Sequence, residues 1–167
     1  MKKLVIVING RSGVGKDTLI EIASRHFCIR NASSVDPIRQ IAYMAGWDGV
    51  KDERWRTMMV NVKRALVAYN DFPTKYLVQQ YLVFLESDEQ IMFVHIREPG
   101  EIRKFMKEVP ATKTILITRK SAENFNLGND DKTLKMKYDH TFANDQPIEQ
   151  SGEDFVELLQ SFFASYY

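Results

Sequence analysis

The sequence predicts a three-layer α/β fold, in which a mainly parallel sheet of five strands lies between layers of helices. Three observations carry that expectation. Short β-branched runs without polar alternation, such as KLVIVIN (3–9) and KTILITR (113–119), suit strands covered on both faces. These runs alternate with segments whose apolar residues recur three and four apart, which implies right-handed crossovers and parallel pairing. A glycine-rich turn, INGRSGVGKDT (8–18), joins the first run to the first helical segment.

After that turn, Leu19, Ile20, Ile22, Ala23 and Phe27 predict a helix from Lys16 to about Phe27. CIRNAS (28–33) is a short strand with a weak signal. The run at 36–46, DPIRQIAYMAG, opens on Asp36 as a cap with Pro37 in its first turn and stops at Gly46. A long helix is expected from Lys51 to about Tyr69, and another over 74–87 with Thr74 as its cap. QIMFVHI (90–96) is a buried strand, followed by a helix that Pro110 ends. The polar, charged stretch 120–137 reads as a loop, YDHTFAN (138–144) as the last strand, and Glu153 to about Tyr166 as the closing helix.

With 167 residues, the chain has the length of one domain and enough apolar residues for a core without disulfides. Its 23 basic and 22 acidic side chains nearly cancel, so no global field favours nucleic acid or a membrane surface. Positive charge for phosphate chemistry must then be gathered locally. The single Cys28 cannot form an internal disulfide, fits a reducing compartment and reads as a small core residue. MKKLVIVING has an apolar run too short for a secretory signal, and no stretch reaches membrane-spanning length. A cytoplasmic protein is expected, with a small-molecule partner rather than nucleic acid or lipid.

Gly10 to Lys16 satisfy the G-x-x-x-x-G-K core of a phosphate-binding loop, or P-loop, between the strand and the helix that this motif requires. Glycines admit positive φ and turn backbone N–H groups towards a central anion, and the helix N-terminus adds its dipole. The expected fold class is therefore the P-loop NTPase fold. Its nucleotide-binding residues are Gly10, Arg11, Ser12, Gly13, Val14, Gly15, Lys16, Asp17 and Thr18, with Lys16 reaching the β- and γ-phosphates. Asp17 stands where a Ser or Thr hydroxyl normally meets Mg²⁺. An acidic acceptor there can hold the ion directly or through water, or can serve only as a favourable first-turn charge. A parallel sheet offers its ligand site at the carboxyl ends of the strands, where Gly10, Arg97, Arg119 and Asn144 all fall.

GRSGVGKDT resembles the P-loop nucleoside-monophosphate-kinase-like enzymes, in particular deoxynucleotide monophosphate kinases and P-loop phosphomevalonate kinase. SSVDPIRQIA, GWDGVKDERWR, VHIREPGEI and YDHTFANDQPIEQ resemble further segments of those enzymes in matching order. The resemblance implies transfer of phosphate from ATP, with Mg²⁺, to a small acceptor such as a (deoxy)nucleoside monophosphate. Arg97 falls on the family arginine that grips phosphate, although an ion pair with Glu98 or Glu101 is the plainer alternative. Arg119 and Lys120, Lys132, Lys135 and Lys137 belong to a lid over about 120–137, in which Glu123, Asp130 and Asp131 dilute the charge. Asn144 is placed on the adenine-side turn. The acceptor side lies over about 36–69, with Asp36 and Arg39 as the binding pair and Tyr43, Trp47 and Trp55 available to stack on a base or to join the core.

Two departures stand out. His95 occupies the family's strand-end Asp, and Gln146 the usual Gly of the last segment. A GTPase is excluded, since no Asn-Lys-x-Asp follows a strand. A nucleotide-binding regulator with little kinase activity, or a kinase for phosphomevalonate or dephospho-coenzyme A, remains as an alternative.

Overall fold

The computed structural model describes residues 2–122, 134 and 136–164. Its five strands are β1 (Leu4–Asn9), β2 (Ile29–Ser33), β3 (Ile91–His95), β4 (Lys113–Thr118) and β5 (His140–Ala143). Among the described residues, six α-helices connect and follow them: α1 (Lys16–Ala23), α2 (Asp36–Met44), α3 (Glu53–Asn70), α4 (Phe72–Leu85), α5 (Pro99–Glu108) and α6 (Ile148–Ala164). All four strand pairings are parallel, in the order β2-β3-β1-β4-β5.

This order explains the layers. From β1 the chain steps outward past β3's position to β2, then reverses and crosses towards β4 and β5. A right-handed crossover changes face when its direction along the sheet reverses, so α1 lies on one face while α4 and α5 lie on the other. The buried side chains follow suit. Leu4, Ile6 and Ile8 of β1 join Ile91, Phe93, Ile115 and Ile117 in a core closed by α1 and α6. Val5 and Val7 join Met92 and Val94 in a second core closed by α4 and α5. Burial on both faces is the reason these strands lack polar alternation.

Several expected boundaries move. The α1 helix ends at Ala23, short of Phe27. The α4 helix starts at Phe72, with Pro73 in its first turn, and the Thr74 hydroxyl donates to Asp71 Oδ1 at 3.2 Å instead of capping. The largest shift is at α6, which begins at Ile148 rather than Glu153. Gly152, left outside the helix by the expected start at Glu153, lies inside α6, where an added Cβ would come within 2.8 Å of Ile22 Cδ1. The glycine is there to bring α6 close to α1. Cys28 is also corrected: it is exposed, in the turn before edge strand β2. Its backbone makes the contacts there, with the carbonyl accepting from Gln90 and Ile91 N–H.

Candidate functional site

The loop between β1 and α1 adopts the conformation that its glycines permit. Gly10, Gly13 and Gly15 have φ of 151°, 81° and 88°, values that L side chains rarely tolerate. Close packing adds a second requirement at Gly10, where a Cβ would lie 2.5 Å from the Ile117 carbonyl oxygen. Gly15 caps α1, and the first four N–H groups of a helix have no partner within the helix. Together with the dipole they form a cradle for an anion. Lys16 Nζ donates to the Gly10 and Arg11 carbonyls at 2.7 and 3.0 Å, so its ammonium is held across the mouth of the loop.

Three segments meet this loop at the carboxyl edge of the sheet. Asn9, at the end of β1, is buried, and its Nδ2 donates to the Ile96 carbonyl at 2.7 Å, one residue before Arg97. Its side chain also bonds to Tyr138, so the loop base, the β3 turn and the approach to β5 share one hub. Asn144 is buried beyond β5, with Nδ2 donating to the Val14 carbonyl at 2.8 Å and its own N–H donating to Thr118 O at 2.8 Å. Asp139 Oδ2 accepts from both the N–H and the hydroxyl of buried Thr114, and Asp145 Oδ1 accepts from Lys120 N–H. Thus each polar residue of the YD…ND segment ties the last strand to its neighbours.

The residues expected on the acceptor side lie at the ends of β2 and β3. Asp36, in the first turn of α2, accepts from Ser33 N–H at 2.7 Å and from Arg39 Nη1 at 3.0 Å, which pairs the two predicted acceptor-side residues. His95 ends β3 opposite Ser33 of β2, and in the neutral ring its Nε2–H donates to Asn31 Oδ1 at 3.2 Å. Burial lowers its pKa below the ordinary 6.5; the Asp17 and Asp36 carboxylates raise it, while Lys16 and Arg39 lower it further. In the sheet β3 lies between β1 and β2, so His95 at its end stands between the segment that follows β1 and the one that follows β2. Of all the polar residues here, His95 is the one whose central position had no signal beyond its place at a strand end.

Arg97 and Arg119 are exposed at the ends of β3 and β4, on the same edge as the loop. Glu101 accepts from Lys63 at 2.9 Å. Much of the expected lid, including Lys132 and Lys135, lies outside the described residues. At its margins, Lys120–Ala122 form a 3-10 turn and Lys137 is exposed. Trp47 stacks on Trp55 at 5.0 Å and packs against Tyr43 at 4.8 Å; Tyr43 is exposed and the two tryptophans are half-buried, apart from the two cores against the sheet. A groove of about 450 Å³ between α4 and α5, lined by Asp71, Thr74, Lys75 and Lys104, shares no residue with this edge.

The donor set fits Mg²⁺ better than a metal that requires a protein cage. Among the described residues no group of three or more His, Cys, Asp or Glu is poised to hold a metal, whereas Asp17 is exposed beside the loop. Mg²⁺ keeps most of its waters and is commonly held by one or two carboxylates together with substrate phosphates.

No protein-family model and no curated protein matches the chain. Solved structures do. Shikimate kinase from Aquifex aeolicus aligns at 14% identity over 96% of this chain and 99% of that one, with a TM-score of 0.53. TT1252 from Thermus thermophilus aligns at 17% identity over 100% of both chains, with a TM-score of 0.52. A candidate kinase from Chloroflexus aurantiacus gives 11% identity, coverage of 98% and 97%, and a TM-score of 0.55. This chain has a P-loop kinase-like fold. At these identities the likeness is one of architecture, and its chemistry has to be argued from its own residues. Among the described residues, no helix is long and apolar enough to cross a membrane.

Proposed function

We propose that the chain is an ATP- and Mg²⁺-dependent phosphotransferase acting on a small acceptor, with a (deoxy)nucleoside monophosphate as the first candidate. The observation that carries this reading is the convergence at one sheet edge. The glycine loop with Lys16 follows β1, the Asp36–Arg39 pair follows β2, and β3, which ends in His95, lies between those two strands. A phosphate cradle and an acceptor-side ion pair at the ends of nearby strands suit transfer between two small molecules. The nucleotide preference rests on the resemblance of the GKD loop and of the segments that follow it.

Phosphoryl transfer asks a protein for positioning and for positive charge, with little covalent chemistry. In this reading the loop N–H groups bind the β-phosphate and Lys16 leaves the Gly10 and Arg11 carbonyls to meet the transferring group. Asp17 would hold Mg²⁺, which supplies further charge neutralisation when bound. Arg39 would orient an acceptor phosphate while Asp36 fixes the guanidinium plane. Arg97 and Arg119 stand on the edge where negative charge develops.

The test is ADP formation from ATP and Mg²⁺ with a panel of ribo- and deoxynucleoside monophosphates, phosphomevalonate and dephospho-coenzyme A. Turnover with one acceptor, reduced about 100- to 1,000-fold in Lys16→Ala, is the expected result. ATP binding without turnover on any acceptor would favour a nucleotide-binding regulator, the reading to which His95 in place of an acid points.

A further inference from the structure

The phosphate loop contains one peptide whose orientation is set from outside the loop. Asn144 reaches it from beyond β5, 130 residues away in sequence, and its Nδ2 donates to the Val14 carbonyl at 2.8 Å. The next residue is packed against the same amide: a Cβ on Gly15 would lie 2.5 Å from Asn144 Nδ2. Asn144 itself is only 2% exposed and is anchored by its own N–H on the Thr118 carbonyl at 2.8 Å. The side chain is therefore enclosed between the end of β4 and the loop.

The covalent geometry of the peptide turns this contact into a constraint on ligand binding. In a trans peptide the carbonyl and the following N–H point in opposite directions, and none of the described peptides is cis. Holding the Val14 carbonyl towards Asn144 aims the Gly15 N–H the other way, into the anion cradle. Gly15 has φ of 88°, in the left-handed region, where alternative orientations of a glycine peptide cost little by themselves. A loop of this kind needs something external to choose one, and the buried amide does so.

We infer that Asn144 is a positioning residue that presets the Val14–Gly15 peptide for phosphate, and that it does not read the nucleoside. This deepens the proposed function and rests on its assignment of the loop as a phosphate site. Asn144 was expected to serve the adenine-side turn; it holds the phosphate loop instead, because a residue 2% exposed whose amide already donates to Val14 has little means to touch a base. The consequence is specific. Losing the amide should weaken every ligand that carries the same phosphates, whatever is attached to them.

The experiment compares ATP, GTP and inorganic tripolyphosphate, each titrated calorimetrically into the wild-type chain, Asn144→Ala and Asn144→Asp. The Asp variant keeps the size but replaces the donor with an acceptor facing the Val14 carbonyl. Thermal unfolding without ligand, and Asn144→Ser as a third variant, guard against a failure of folding. The expected result is a loss of about tenfold or more in affinity, by a similar factor for all three ligands and larger for Asp than for Ala. Loss for ATP with tripolyphosphate affinity intact would overturn the inference and assign Asn144 to the base. Unchanged affinity for all three in a folded variant would overturn it as well, while leaving the phosphate site standing. Failure of the wild-type chain to bind tripolyphosphate would instead sink the phosphate site, and this inference with it.

Discussion

His95 and Lys16 show how much of the site's character depends on single side chains and their surroundings. Burial holds the His95 imidazole in its neutral form by lowering its pKa below 6.5, and the nearby charges of Asp17, Lys16, Asp36 and Arg39 largely oppose one another. The unfolded chain therefore binds a proton at this position more readily than the folded one. The stability contributed by neutral His95 is complete above pH 6.5 and is lost as the pH falls below that value through the lower folded pKa. Urea unfolding of wild type and His95→Gln should accordingly differ by a constant amount from pH 7 to 8. The difference should shift against wild type towards pH 5, and a pH-independent difference would contradict the assignment. The GKD loop made the importance of Lys16 legible at once. The setting of His95 was not, since it depends on charges from α1 and α2 that only folding brings together.

At the scale of elements, the join between α1 and α6 depends on Gly152. An added Cβ meets Ile22 Cδ1 at 2.8 Å and Cγ2 at 3.0 Å, parts of a side chain that can give slightly, whereas a longer side chain has nowhere to go. Gly152→Ala should stay within about 1 kcal/mol of wild type, because helix propensity offsets the crowding. Gly152→Leu should lose about 1–3 kcal/mol from overpacking, measured by chemical denaturation. The same contact explains why the start of α6 was misplaced in sequence. A glycine read locally is a breaker, and its packing value becomes visible only against the partner helix. By contrast, the start of α2 was readable to within a residue: Pro37 lies in its first turn as expected, but Asp36 is the first helical residue and Val35 takes the cap position, because the Asp36 carboxylate turns back to the Ser33 N–H.

For the whole molecule, the sheet order decides where function can be. With α1 and α6 on one face of this sheet and α4 and α5 on the other, the glycine loop is left over the middle strand. Phe155 of α6 secures one face: it is fully buried, stacks on Phe93 of β3 at 6.2 Å and meets Phe142 of β5 edge-on at 5.2 Å. It therefore joins the central strands to the edge strand that delivers Asn144. Phe155→Ala should cost about 3–5 kcal/mol and weaken nucleotide binding in the remaining folded fraction, as measured by denaturation and calorimetry. A stability loss below about 1 kcal/mol would mean that α6 is not integral to the core.

The sequence by itself determined the parallel α/β architecture, the phosphate loop and the polar residues at the strand ends. These signals are local: β-branched runs, helical spacing and glycines at set offsets each report a backbone preference over a few residues. Only the tertiary structure decided that Asn144 grips Val14, that Asn9 holds the Ile96 carbonyl, that Asp139 grips Thr114 and that Gly152 packs on Ile22. Those relations join segments tens of residues apart, through side-chain directions fixed by sheet order and helix packing. No local pattern encodes them, because each depends on where the rest of the chain has already been placed.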